Sequence, residues 1–386
     1  MSISMALFVL VSLLHKNLKD QIRNFFLSPL LWGMSVLFFL PFISGIWSED
    51  KKQWLDIMRI KLPLLFMPIA FASPFGLSKK NQIAIVILFI ILVTGGTLWS
   101  TVGYISDINA AHENYLRSQL IITPLENNHI LFSWIVTAAI LFSAGLLWQK
   151  KESGKKTSRI LLITILWLII FLHILAARTG LISFYTILFV AGLWFILKKS
   201  KLVYGVLLLA VFIVLPLAAY FVFPTFQNRV KYFLYDLPYF SKASYKPRMN
   251  DAVRIISMKA GWSVMNDHPV AGAGFGDIFN ETTKWYRIHY PEMIEKDKIY
   301  PSGEWLMYGA GCGWPGFFLF SIVLLIPFFI KKLRQNLLWH LLNATIAMMF
   351  LFDTGLEVQF GVFIYTFILL CFWHWRKEEA SYNIFQ

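Results

Sequence analysis

The feature that most constrains this chain is the recurrence of long apolar runs. A helix crossing roughly 30 Å of hydrocarbon needs about 20 mostly apolar residues, and about eleven such runs recur from end to end. They lie near 2–14, 27–47, 60–76, 82–104, 128–148, 160–177, 180–197, 202–223, 306–330, 337–352 and 358–375. Only 15% of the residues are charged and 58% are hydrophobic, whereas soluble domains carry about 25% charged residues. A soluble globular enzyme and a disordered chain are therefore excluded. The expected fold class is an all-α membrane protein with about 11–12 transmembrane helices. The first run is short, ends at His15 and Lys16, and lacks the small-residue cleavage pattern of a signal peptide.

Charge then sets orientation. The net charge is +14, from 35 Lys and Arg against 21 Asp and Glu. Basic clusters follow alternate runs: Lys16, Lys19 and Arg23; Lys79 and Lys80; Lys150, Lys151, Lys155, Lys156 and Arg159; Lys198, Lys199 and Lys201; Lys331, Lys332 and Arg334; Arg376 and Lys377. All fall on one side if the runs alternate, which makes that side cytoplasmic. Lys51 and Lys52 fall on the other side, accompanied by Glu49, Asp50 and Asp56. No basic domain is left outside the membrane, so nucleic acid is not an expected partner. Cys312 and Cys371 have no CxxC spacing and read as packing residues.

This topology leaves one long external segment, 224–305, between N-terminal helices 1–223 and C-terminal helices 306–386. A smaller external loop spans 105–127. The long segment is polar yet rich in aromatics (Trp262, Trp285, Tyr286, Tyr290, Tyr300, Trp305), so it is expected to fold rather than stay disordered. Asn250 and Asp251 start a helix running to about Met265, with apolar Val253, Ile256, Met258, Ala260 and Trp262. His268-Pro269 ends it. Gly272, Gly274 and Gly276 follow at every second position, where the backbone can turn sharply and expose its N–H groups.

Several residues have chemistry to offer. Arg178, between two apolar runs, is either an anchor that snorkels to the interface or a cavity-facing group that grips a phosphate with two hydrogen bonds. Arg254 is either a solvated helix residue or a second anion ligand; Arg229, Lys231 and Arg248 share the first reading. The glycine triplet is either a structural turn or an anion cradle. It does not link a strand to a helix, so a dinucleotide site is rejected. Glu304 is either a helix-start carboxylate favoured by the dipole or a general base. Gly309, Gly311, Gly313, Pro315 and Gly316 follow inside the next run, allowing close packing or a break.

In this order, the pieces resemble the O-antigen ligase and O-antigen polymerase family of inner-membrane glycosyltransferases. Ala177-Arg178-Thr179-Gly180-Leu181 is similar to its Ser-Arg-x-Gly segment. Arg254 sits where its loop Arg precedes a Pro-x-x-Gly-x-Gly turn, here His268-Pro269-Val270-Ala271-Gly272-Ala273-Gly274-Phe275-Gly276. Ile43-Ser44-Gly45-Ile46-Trp47-Ser48-Glu49-Asp50 is also similar. The family's usual His-Asn-x-Tyr/Phe-Leu is altered: aligned on Leu306 and Pro315-Gly316, Ser302 stands at the His and Gly303 at the Asn. The family base is therefore missing. Glu304 is the nearest carboxylate to replace it, with His268 or His289 as other candidates. The family's usual twelve spans also leave a first span unaccounted for.

The resemblance implies an undecaprenyl-diphosphate-linked glycan donor and a lipid A core or glycan acceptor, in a multi-pass inner-membrane protein whose site faces the periplasm among membrane lipids. It implies Arg178 and Arg254 on the diphosphate, Glu304 on the acceptor hydroxyl, and Ser302, His268, Gly272, Gly274 and Gly276 around the substrate. Neither a metal nor another cofactor is expected, since there is no Asp-x-Asp or His cluster with ligand spacing. Ligase and polymerase stand as alternatives. A lipid-linked oligosaccharide transporter is the reading from another class; it would need paired intramembrane charges and broken helices. His173, Arg178, His340, Asp353 and Glu357 are the internal ionisable residues weighed for it, with Asp353 and Glu357 expected in a short external turn.

Overall fold

The computed structural model describes residues 3–14, 17–73, 76–116, 119–148, 155–197, 202–247 and 250–382. Lys16, Lys150, Lys151, Lys198, Lys199, Lys201 and Arg248 lie outside the described residues, as do the side chains of Asn250, Arg376 and Lys377. Among the described residues the regular structure is helical, with no strand. The first α-helices are α1 (Ile3–Leu13), α2 (Leu18–Leu27), α3 (Pro29–Ser44), α4 (Lys51–Phe71), α5 (Lys79–Ser106) and α6 (Ile108–Leu116). Then come α7 (His129–Trp148), α8 (Lys155–Leu175), α9 (Arg178–Leu197), α10 (Leu202–Val222) and α11 (Pro224–Lys242). The last are α12 (Asn250–Asp267), α13 (Ile278–His289), α14 (Glu304–Phe329), α15 (Leu337–Phe352) and α16 (Gln359–Tyr382).

The all-α membrane class is borne out. Among the described residues, α5, α7, α8, α9, α10 and α14 are each long and apolar enough to cross a bilayer. The pair α2 and α3 passes the same test together, with an 84° bend between them. Apolar helices α1, α15 and the first part of α16 are shorter. Every apolar run in the sequence coincides with a helix, but these six, or seven with the bent pair, are fewer than the runs. The difference comes from length and charge: α4, for example, carries Lys51, Lys52, Asp56, Arg59 and Lys61.

The chain divides into two compact units. One comprises residues 1–77, 239–335 and 350–386; the other comprises 78–238 and 336–349. In the first, α4 packs on α3 and α16, and α14 on α3 and α12. The α4 helix starts where the Asp50 carboxylate accepts from Gln53 N–H at 2.9 Å, an N-cap that contributes about 1 kcal/mol. The segment after α11 is folded around Val253, Ile256, Ala260, Tyr286 and Met293. Tyr286 donates to Ile299 O at 2.8 Å and Tyr290 to Ala243 O at 2.7 Å. As expected, α12 stops just before His268.

The α14 helix is broken at Gly313, whose φ of +67° is open to glycine and strained for other residues. The Pro269 carbonyl fills the break and accepts Trp314 N–H at 2.9 Å. In the second unit, α7 packs on α5, α8 and α9, and α9 on α10. At Gly180 α7 and α9 approach tightly: a Cβ there would lie 2.4 Å from Ser133 Cβ.

Candidate functional site

In the first unit, the glycine turn is held by the protein's own backbone and hydroxyls. Gly272 N–H donates to His268 O, Ala273 N–H to Ala310 O at 2.8 Å, and Gly274 N–H to Gly311 O at 3.1 Å. Phe275 N–H donates to Ser44 Oγ and Gly276 N–H to Ser48 Oγ. Asp277 then accepts the N–H groups of Glu49 at 2.6 Å and Asp50 at 2.9 Å. The glycines are needed for approach: a Cβ on Gly272 would lie 2.3 Å from Cys312 N, and one on Gly274 2.4 Å from Ser48 Oγ. The turn is thus a joint between α14 and the 44–50 segment, and its amides are engaged. The two motifs that resembled the family separately are one contact in space.

The chemistry gathers where α12, α14 and the turn after α15 meet. Ser257 Oγ donates to Arg254 O at 2.7 Å and accepts Ser302 N–H at 3.1 Å; the Ser257 and Ser302 hydroxyls are 2.9 Å apart. Buried Ser302 therefore fastens the start of α14 to α12. Arg254 is half-buried and its Nη1 donates to Phe352 O at 3.2 Å. The next residue, Asp353, is also half-buried. Burial pushes its carboxyl above the usual carboxylate range, while the Arg254 charge and the Thr354 N–H pull it partly back.

Glu304 lies beneath, with 0% exposure. One oxygen accepts Leu356 N–H, and the other has no hydrogen-bond partner among the described residues. A general base must reach the proton it removes, and this carboxylate does not reach the surface. His268 and His289 are both exposed. His289 stacks on Trp285 with ring centroids 4.2 Å apart, so neither imidazole joins the Arg254 cluster. Asp353 is a half-exposed carboxylate there; it precedes, and Glu357 ends, a short turn at Gly355–Glu357. The residue missed from sequence is Lys61, which is 0% exposed in α4 with Nζ 2.6 Å from Glu357 Oε1. Its signal was present: a Lys between Ile60 and Leu62-Pro63-Leu64 inside an apolar run.

In the second unit, Arg178 is the first residue of α9, and its guanidinium lies over the Phe233 ring at 5.3 Å. It opens on a cavity of about 1010 Å³ together with Arg229 of α11. The other walls are almost wholly apolar, among them Leu181, Phe189, Phe212, Pro216, Phe226 and Phe233. Of the two sequence readings, the cavity-facing one fits this position. Among the described residues no group of three or more His, Cys, Asp or Glu converges as metal ligands would.

These features define a multi-pass, all-α membrane protein with cationic groups set against apolar walls. Residues 163–321 match the family model described as O-antigen ligase. Over that stretch the chain is similar to O-antigen ligases, which agrees with the resemblance read from its motifs. The match includes Arg178, Arg254, the glycine turn and Glu304; Lys61 and Asp353 lie beyond it. No curated protein matches the chain significantly.

Proposed function

We propose that the protein transfers a glycan from a polyprenyl-diphosphate donor to a sugar hydroxyl of an acceptor, at the outer face of the inner membrane. The cavity of the second unit carries this reading. Apolar walls with two guanidinium groups suit an amphiphile with an anionic head, and guanidinium stays charged and grips phosphate oxygens in pairs. The acceptor oxygen attacks the anomeric carbon and the bond to the diphosphate breaks. The leaving diphosphate gains negative charge, which Arg178 and Arg229 are assigned to stabilise. The acceptor proton goes to a carboxylate, and here Asp353 takes the role first expected of Glu304. Direct displacement inverts the anomeric centre.

The test is transfer by purified protein in proteoliposomes, with a synthetic polyprenyl-diphosphate glycan and no ion gradient. Arg178→Ala is expected to lower kcat about 100-fold or more while the protein stays folded in the membrane. Normal transfer by that variant removes the assignment. Two observations favour a transport reading: α14 is broken at Gly313 and α4 buries Lys61. Gradient-dependent movement of the donor without any transfer would put transport in place of transfer. Glycan ladders from a deletion strain separate the acceptors: loss of all lipopolysaccharide-attached polymer means ligase, and attachment of single repeats only means polymerase.

A further inference from the structure

A buried ammonium among two carboxylates is a costly arrangement, and an apolar cluster of the same volume is often more stable. Charges kept in such a place need a reason in geometry. Lys61 Nζ lies 2.6 Å from Glu357 Oε1 and 3.2 Å from Leu356 O, and it faces the rings of Phe275 and Tyr308 at 5.3 and 5.1 Å. Glu304 accepts the N–H of the same Leu356. One peptide residue is thus gripped on its carbonyl by the Lys61 ammonium from α4 and on its amide by a carboxyl oxygen from α14. Three residues before Asp353 is Phe350, and just after that Leu351 O meets Gly303 so closely that a Cβ there would lie 2.8 Å away. The Phe352 carbonyl receives Arg254.

We propose that Lys61 and Glu304 are positioning residues: together they hold the 353–357 turn so that Asp353 stands beside Arg254. The inference rests on the reading that Arg254 and Asp353 serve glycan transfer. It assigns Glu304 a holding role in place of proton transfer, and it gives Lys61, outside the family match, a part in the reaction. The grip on Leu356 needs an acceptor oxygen at position 304, which glutamine keeps and methionine lacks. It needs a donor cation at position 61, which methionine also lacks.

The experiment compares Lys61→Met, Glu304→Met, Glu304→Gln and Asp353→Asn in reconstituted full-length protein, reading kcat, acceptor KM, the pH–rate profile and thermal unfolding. Glu304→Gln is expected to keep kcat within about threefold of wild type, which is the scatter of single interactions. Lys61→Met and Glu304→Met are expected to lower kcat at least tenfold with acceptor KM little changed. Their acid limb should move to higher pH, because Asp353 loses the Arg254 charge that holds its proton affinity down. Wild-type kcat and an unmoved acid limb in both methionine variants overturn the proposal, and so does loss of activity in Glu304→Gln equal to that in Glu304→Met. If Lys61→Met does not fold, the two Glu304 variants decide alone. Unfolding of both methionine variants beside a normal Glu304→Gln means stability only, and also overturns it. Full activity in Asp353→Asn instead sinks the underlying reading, whatever the Lys61 variants do.

Discussion

At the scale of single residues, the proposed exchange of roles between Glu304 and Asp353 rests on burial. A carboxylate two residues from the missing family histidine looked like its replacement, because alignment counts positions along the chain. Exposure is decided by what packs on that position, and the turn after α15 covers it. Asp353 was legible only as an ionisable residue in a short turn; nothing in the sequence pairs it with Arg254, 99 residues earlier. The assignment predicts that Asp353→Asn lowers kcat about 100-fold or more, measured as single-turnover transfer. It also predicts a sign. A base works deprotonated, so the rate falls as pH drops through its pKa. Burial has raised that pKa, so the acid limb should lie above the usual carboxylate range. Arg254→Gln should move the remaining activity's limb higher still.

At the scale of elements, the turn from Gly272 to Asp277 shows what spacing can and cannot tell. Glycine at every second position did announce a sharp turn. It did not announce that Ser44, Ser48 and the amides of Glu49 and Asp50 would receive it, because those partners are more than 220 residues away in the chain. Two consequences are measurable by thermal unfolding in detergent. Gly274→Ala places a Cβ against Ser48 at a φ of +91° and should destabilise by about 1–3 kcal/mol. Asp277→Ala strands two N–H groups and should cost about 1–3 kcal/mol for each left unsatisfied. Helix positions themselves were legible because a span must be apolar along its length. What escaped was Lys61, the one charge of the apolar run in α4, since a lone Lys hardly shifts the average of a run.

At the scale of the whole molecule, the pattern of apolar runs was enough to give the membrane class, and charge was enough to give an orientation. That orientation predicts labelling. Cysteine placed at Lys80 or Lys332, both exposed, should react with a membrane-impermeant maleimide only after the cytoplasmic side is opened. Cysteine placed at Ile288, 75% exposed on α13, should react in intact spheroplasts. The reverse pattern would invert the assignment of sides.

The break in α14 also bears on engineering. The Pro269 carbonyl sits inside a helix that begins thirty-five residues after it, and the same turn is stitched to the segment entering α4. A chimera that exchanges only the polar stretch between two such proteins would bring a foreign carbonyl to a native gap. Successful grafts should therefore carry three pieces from one parent: residues 44–54, the turn at 268–277, and the first half of α14. Together they form one transplantable joint.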